Sequence, residues 1–156
     1  MLKAKDVMTA GVITVRGDMT VEALGRLFTE KKISGAPVLD ESGSVTGIVT
    51  ENDLIRNNTR LHIPTVFRIF DALIPIGSGK FEDEIKRMSA STVAEICTTK
   101  VVSVRPDSDL QEVSTIMSDR GVHLLPVIEN GKLVGIIGKM DVIRGMIGET
   151  GQQKPG

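Results

Sequence analysis

Ile33-Ser34-Gly35-Ala36-Pro37-Val38-Leu39 and Val122-His123-Leu124-Leu125-Pro126-Val127-Ile128 are the two stretches whose comparison decides the fold. Laid over one another, their prolines stand 89 positions apart, 37 against 126. The same offset carries Val21, Leu24, Leu27 and Phe28 onto Leu110, Val113, Ile116 and Met117, and Thr14-Val15-Arg16 onto Ser103-Val104-Arg105. Further on the offset falls to 88, where Gly47-Ile48-Val49 meets Gly135-Ile136-Ile137 and Asp53 meets Asp141. One residue is lost where Asp40-Glu41-Ser42-Gly43-Ser44 becomes Glu129-Asn130-Gly131-Lys132. Surface turns tolerate such a change. The chain is an internal repeat, and a repeated unit buries its apolar face by packing against its copy.

Each copy reads alike. A short apolar stretch, Val12 to Val15 or Val101 to Val104, precedes a helix whose apolar residues recur at i, i+3, i+6 and i+7, the spacing of one buried face. Thr20 marks the helix start in the first copy. In the second, Asp109 with Glu112 three residues on forms an Asp-x-x-Glu variant of the capping box. Two apolar strands joined by a Gly-containing turn follow, Pro37–Leu39 with Val45–Val49 and Pro126–Ile128 with Leu133–Ile137. A second helix begins near Glu51 and near Lys139. The reading is an α/β (α+β) chain of two βαββα units, each a small three-stranded sheet with helices on one face. Its organisation is a first repeat over 1–58, a helical insertion over 59–91, a second repeat over 92–150 and a tail over 151–156. In the insertion, Pro64 suits a first helical turn, with Phe67, Phe70 and Leu73 on one side. Pro75 and Gly77-Ser78-Gly79 then break the chain before a second helix from about Phe81 to Met88. These phenylalanines anchor the connection to the core, or else form a dimer contact or a lid.

Composition narrows the function. The 19 basic and 20 acidic residues among 156 nearly cancel, whereas a nucleic-acid binder usually carries a basic excess. With no Trp, no Tyr and four Phe, the chain lacks a stacking platform for single strands. No apolar run approaches the roughly 18 residues that span a bilayer. The segment Met1-Leu2-Lys3-Ala4-Lys5-Asp6 lacks a signal-peptide core, so the expected location is cytoplasmic. Cys97, the only cysteine, permits neither an internal disulfide nor a multi-Cys metal site. No metal site and no required cofactor are expected. An enzyme is disfavoured: two histidines far apart, no Gly-x-Ser-x-Gly, no His-Glu-x-x-His and no phosphate loop.

The paired units, each with a Pro-Val strand followed by Gly-x-x-x-x-x-Asp, resemble the cystathionine β-synthase (CBS) domain, whose tandem pair is called a Bateman module. Stand-alone tandem pairs with a similar helical insertion are the nearest type. The resemblance covers nearly the whole chain except the insertion and the tail. It implies two units packed with pseudo-two-fold symmetry, with two clefts that take AMP, ADP, ATP, S-adenosylmethionine or a related ligand. It implies a non-catalytic homodimer that regulates an unidentified protein.

The segment Gly47-Ile48-Val49-Thr50-Glu51-Asn52-Asp53 places an apolar strand ahead of a helix N-terminus, which suits a phosphate or another anion. The resemblance implies a Thr50 hydroxyl on the phosphate and an Asp53 carboxylate on the ribose diol. The resemblance further implies that Thr98, Val101, Val122, His123 and Leu124 complete that cleft around the adenine, with His123 at a position where some members set a histidine against the ligand phosphate. In the second cleft Asp141 is kept, Gly138 replaces the hydroxyl, and Lys139 supplies charge. The resemblance implies Thr9, Val12, Ile33 and Ser34 as its remaining members, and the departure at Gly138 leaves this cleft weaker, empty or tuned to another ligand. His62 is structural. A purely structural reading stands beside this one, because Thr-x-x-Asp is also close to a capping box. The alternative function is a ligand-free dimerisation and interaction scaffold. An Asp53 side chain walled off from solvent, or pointing away from any hollow, would remove the ligand reading and leave only that scaffold.

Overall fold

The computed structural model describes residues 1–60 and 91–148, so the reading of 61–90 as a helical insertion, with His62 and its phenylalanines, lies outside the described residues. The described elements are α1 (Ala4–Val7), β1 (Val15–Arg16), α2 (Val21–Lys31), β2 (Gly35–Leu39), β3 (Val45–Thr50) and α3 (Glu51–Arg60), then α4 (Val93–Ile96), α5 (Leu110–Arg120), β4 (Leu124–Glu129), β5 (Lys132–Gly138) and α6 (Lys139–Met146). The hairpin strands and long helices fall where the repeat places them, whereas of the expected strand Val12–Val15 only Val15 is paired, in β1. No helix among the described residues is long and apolar enough to cross a membrane.

The chain divides into two compact bodies. Among the described residues one, the Asp53 body, is built from Thr14–Leu39, 46–60 and 91–99. The other, the Asp141 body, is built from Met1–Ile13, Asp40–Val45 and 100–148. The chain passes between them at 13/14, 39/40, 45/46 and 99/100, and the first and last of these crossings give each body its leading segment from the opposite repeat.

In the Asp53 body the sheet order is β1-β2-β3, with β1 parallel to β2 through Val15–Val38 and Arg16–Leu39. Helix α2 starts because the Thr20 side chain accepts the Ala23 N–H at 3.1 Å, satisfying a donor the first turn cannot pair. It turns Leu24 and Phe28 inward and ends at Lys32, which adopts the left-handed conformation at φ 54°. Val15, Leu24, Phe28, Ala36, Val38, Val49 and Val93 form the core. Val93 comes from the leading segment of the other repeat. Its N–H donates to the Met19 carbonyl and that of Ala94 to Gly17, both at 2.9 Å, while Thr98 and Ile48 exchange two hydrogen bonds. Gly47 is required here: a Cβ would lie 2.9 Å from Cys97 Sγ and 3.0 Å from the Thr98 carbonyl oxygen.

The Asp141 body repeats this plan. β4 and β5 form an antiparallel pair, and the expected third strand reduces to one parallel bridge, Val104 with Val127. Ala4, Val7, Val104, Val113, Leu125, Val127, Ile137 and Val142 make the core. The leader Leu2–Thr9 is held by the counterparts of the bonds above. The Ala4 N–H donates to Ser108 at 2.7 Å and the Lys5 N–H to Pro106 at 3.0 Å, and Thr9 and Ile136 exchange two bonds. Helix α5 starts at Asp109, but the expected capping box with Glu112 does not form: the Asp109 side chain makes no cap hydrogen bond. Its carboxylate is taken by the Lys3 ammonium, a partner invisible to local sequence because it lies 106 positions away.

Candidate functional site

Both bodies build the same corner where the last strand hands over to the last helix. In the Asp53 body, Asp53 stands in the first turn of α3 and its Oδ2 accepts the Thr50 N–H at 2.9 Å and the Thr50 hydroxyl at 3.2 Å. The first N–H of the helix, at Glu51, donates to the Ser34 carbonyl at 2.8 Å. The opposite carboxylate oxygen, Oδ1, lies 3.5 Å from Arg56 Nη2. The helix end thus holds a carboxylate against its partial positive charge, a favourable placement. The Asp53 side chain is 3% exposed and that of Arg56 60%. A buried charge so placed is retained because it is hydrogen-bonded and paired.

In the Asp141 body the Gly138 N–H donates to Asp141 Oδ2 at 2.8 Å, and Arg144 Nη1 donates to Asp141 Oδ1 at 3.2 Å. The Lys139 N–H donates to the His123 carbonyl at 3.1 Å. Here the arginine side chain is 31% exposed, so this pair is shorter and better covered than its counterpart. Among the described residues the buried polar or charged side chains are Asp53, Ser108 and Asp141. Two of these three are the paired corners.

Thr50, Asp53 and Thr98 belong to the Asp53 body, Thr98 pairing with Ile48 two residues before Thr50. Thr9, Val12, Gly138, Lys139 and Asp141 belong to the Asp141 body, Thr9 pairing with Ile136 two residues before Gly138. Ile33 and Ser34 lie in the Asp53 body; Val101, Val122, His123 and Leu124 lie in the Asp141 body. The structural reading of Thr-x-x-Asp is realised in one direction, with the acid accepting from the residue that opens the helix. Sequence reasoning missed Arg56. Its signal was present: Asp53-Leu54-Ile55-Arg56 recurs as Asp141-Val142-Ile143-Arg144, an acid and a base on adjacent turns of one helix face.

The family model described as CBS domain matches twice, over residues 4–59 and 93–148. The chain belongs to the CBS domain family. It is a tandem CBS protein, and the two matches coincide with the sequence repeats. The chain is 27% identical over 154 residues to the uncharacterized protein MJ1426 of Methanocaldococcus jannaschii, covering 92% of this chain and 90% of that protein. CBSX2 of Arabidopsis thaliana, solved in complex with AMP, superposes with a TM-score of 0.72 at 22% identity, covering 94% of this chain and 97% of that one. The CBS domain pair of MJ0100, solved with 5′-methylthioadenosine and S-adenosyl-L-methionine, gives 0.70 at 20% identity, covering 95% and 98%. Some other curated relatives are much longer. The chain spans 31% of the uncharacterized protein MJ1404 of Methanocaldococcus jannaschii and 25% of a homoserine O-acetyltransferase of Methanohalophilus mahii.

Proposed function

We propose that this CBS pair is a non-catalytic regulatory module that responds to an adenosine-containing small molecule, an adenine nucleotide or S-adenosylmethionine, through Thr50 and Asp53. The observation that carries the reading is the corner built twice from different residues: a helix N-terminus, a buried aspartate and an arginine one turn on. That combination offers backbone dipole and cation to an anionic group and a carboxylate to a diol. CBS pairs of the same fold bind AMP in one solved neighbour and 5′-methylthioadenosine with S-adenosylmethionine in another. On this reading Asp53 Oδ1 exchanges its long 3.5 Å contact with the exposed Arg56 for a ribose hydroxyl, and the released guanidinium meets the phosphate. The Asp141 corner, with a 3.2 Å pair and no hydroxyl at Gly138, is the weaker site. A homodimer belongs to the proposal. Met140, Ile143, Met146 and Ile147 are exposed on or just beyond α6, and Ile55, the counterpart of Ile143, is exposed on α3, which supplies apolar surface for such a contact.

One observation favours the second reading, a ligand-free scaffold. The Asp53 side chain is almost fully covered and already serves its own helix. A thermal-shift panel separates the two. AMP, ATP or S-adenosylmethionine at 100 times its dissociation constant stabilises by about 2.7 kcal/mol, which is several degrees at roughly 2–4 °C per kcal/mol. Asp53→Asn keeps an oxygen for the Thr50 N–H but loses the charge, so it retains the fold and loses most of the shift. Asp141→Asn retains most of it. No shift with any of these compounds on the wild type leaves the scaffold standing.

A further inference from the structure

The two leaders, Leu2–Thr9 and Ser91–Thr98, occupy equivalent grooves through equivalent hydrogen bonds, yet each lies against the repeat to which it is not joined in sequence. The Val21 N–H donates to Ser91 at 2.8 Å, and its counterpart, the Leu110 N–H, donates to Leu2 at 3.0 Å. Main-chain bonds of this kind do not tell one leader from the other. Discrimination has to come from side chains, and of the positions that differ between the leaders two bear on it most directly. At the first, Lys3 forms an ion pair with Asp109, whereas the equivalent bridge in the other body sets Thr92 against Thr20. At the second, Ala4 and Val93 hold the same place in the two cores, both at 0% exposure, and differ by two methyl groups.

We infer that the leaders are keyed to the opposite repeat, by charge at Lys3–Asp109 and by volume at Ala4 and Val93, so that the exchanged pairing is selected over the unexchanged one. In the unexchanged pairing Lys3 faces Thr20, and Asp109 faces Thr92 with no cation. Val93 enters a site packed around an alanine, and Ala4 leaves a void where a valine belongs. Close-packed cores penalise both errors. Gly145 adds to the fit, because a Cβ there would lie 2.9 Å from Val7 Cγ1 of the exchanged leader, and its counterpart in the first repeat is Asn57. The key explains why each leader crosses to the body of the opposite repeat, at 13/14 and 99/100. Neither repeat completes a core from its own residues. This inference does not depend on what, if anything, the corners bind.

The test uses the full chain and melting temperature. Ala4→Val overpacks one core and Val93→Ala hollows the other, each lowering the melting temperature by about 3–10 °C. In the keyed, exchanged chain the two changes act in separate cores, and the losses add in the double variant. If the leaders can trade places, Ala4→Val with Val93→Ala restores both fits on the unexchanged pairing and the melting temperature recovers, which overturns the proposal. A charge test runs beside it. Lys3→Glu lowers the melting temperature by about 1–3 °C, and Asp109→Lys restores it. Rescue by Thr20→Lys instead, or by neither, overturns the charge key.

Discussion

The Asp53 body and the Asp141 body are one plan executed with different local chemistry, and the differences show which features the plan requires. Both bodies follow the last strand with a helix whose first-turn aspartate accepts the N–H of the strand's last residue, and both clear a strand glycine for an exchanged leader. The two repeats differ at helix starts, helix ends and hairpin turns. Helix α2 is capped by the Thr20 hydroxyl, while α5 leaves its cap residue to an ion pair with Lys3. Helix α2 ends on Lys32 in the left-handed region, while α5 ends on Gly121 at φ 62°. The first hairpin turns through Asp40, whose Oδ1 accepts the N–H groups of Ser42 and Ser44, both at 2.9 Å. The second turns through Asn130-Gly131, both at positive φ, the two-residue turn that suits the twist of paired strands. Variable parts sit at element ends, where several solutions satisfy the same orphan groups. Shared parts are those where backbone approaches backbone.

The largest expected effect probes that shared requirement. Gly47→Ala sets its new methyl against the Thr98 carbonyl oxygen, which is backbone and cannot swing aside. It should cost about 2–3 kcal/mol by urea denaturation. Gly135→Ala meets the Met8 sulfur and also its Cγ and Cβ, side-chain atoms that can turn away in part, and should cost about 1–2 kcal/mol. Equal losses in the two would show that the leaders are held alike after all.

Next come the helix termini. Gly121→Lys should destabilise by about 1 kcal/mol, because an L side chain is strained in the left-handed region. The reciprocal Lys32→Gly should stabilise by about 0.5–1 kcal/mol, since glycine adopts that conformation without penalty. Equilibrium unfolding of both variants checks the signs, and a neutral Lys32→Gly would mean that the Lys32 stem contributes contacts of its own. At the helix starts, Thr20→Ala should cost about 1 kcal/mol independent of salt. Asp109→Asn should cost less than that, and its loss should fade as added salt screens the pair.

The smallest effect is a pH dependence confined to one hairpin. The hydrogen bonds from Ser42 and Ser44 hold the Asp40 carboxyl below its ordinary value. A folded value depressed in this way contributes stability above the unfolded value, roughly pH 4, and that stability is lost as pH falls through the folded value. Asp40→Asn should therefore lower stability at neutral pH and flatten part of the acid limb. A matching change at Asn130, which does not titrate, should leave the acid limb as it was.

Much of the plan is legible in residues alone. The offset between Pro37 and Pro126 places the elements, and apolar spacing in Val21–Phe28 and Leu110–Met117 names the buried faces. Thr20 opens α2 as its chemistry predicts. Asp109 was misread because a capping motif speaks only of the neighbouring turn, while the winning partner, Lys3, arrives from the far end of the chain. The candidate site was half legible. Thr50 with Asp53, and Gly138 with Asp141, lie at the corners where the strand-to-helix pattern puts them, but Arg56 was overlooked and the depth of Asp53 was not visible.

Sequence alone settled the repeat, the order of the long helices and hairpin strands and the paired acidic corners, because these follow from local periodicity and short-range hydrogen bonding. Only the tertiary structure decided which leader completes which core, which cation takes Asp109 and how far Asp53 is covered. Those outcomes rest on packing volume and on partners about a hundred residues apart, and no local pattern encodes a distant neighbour.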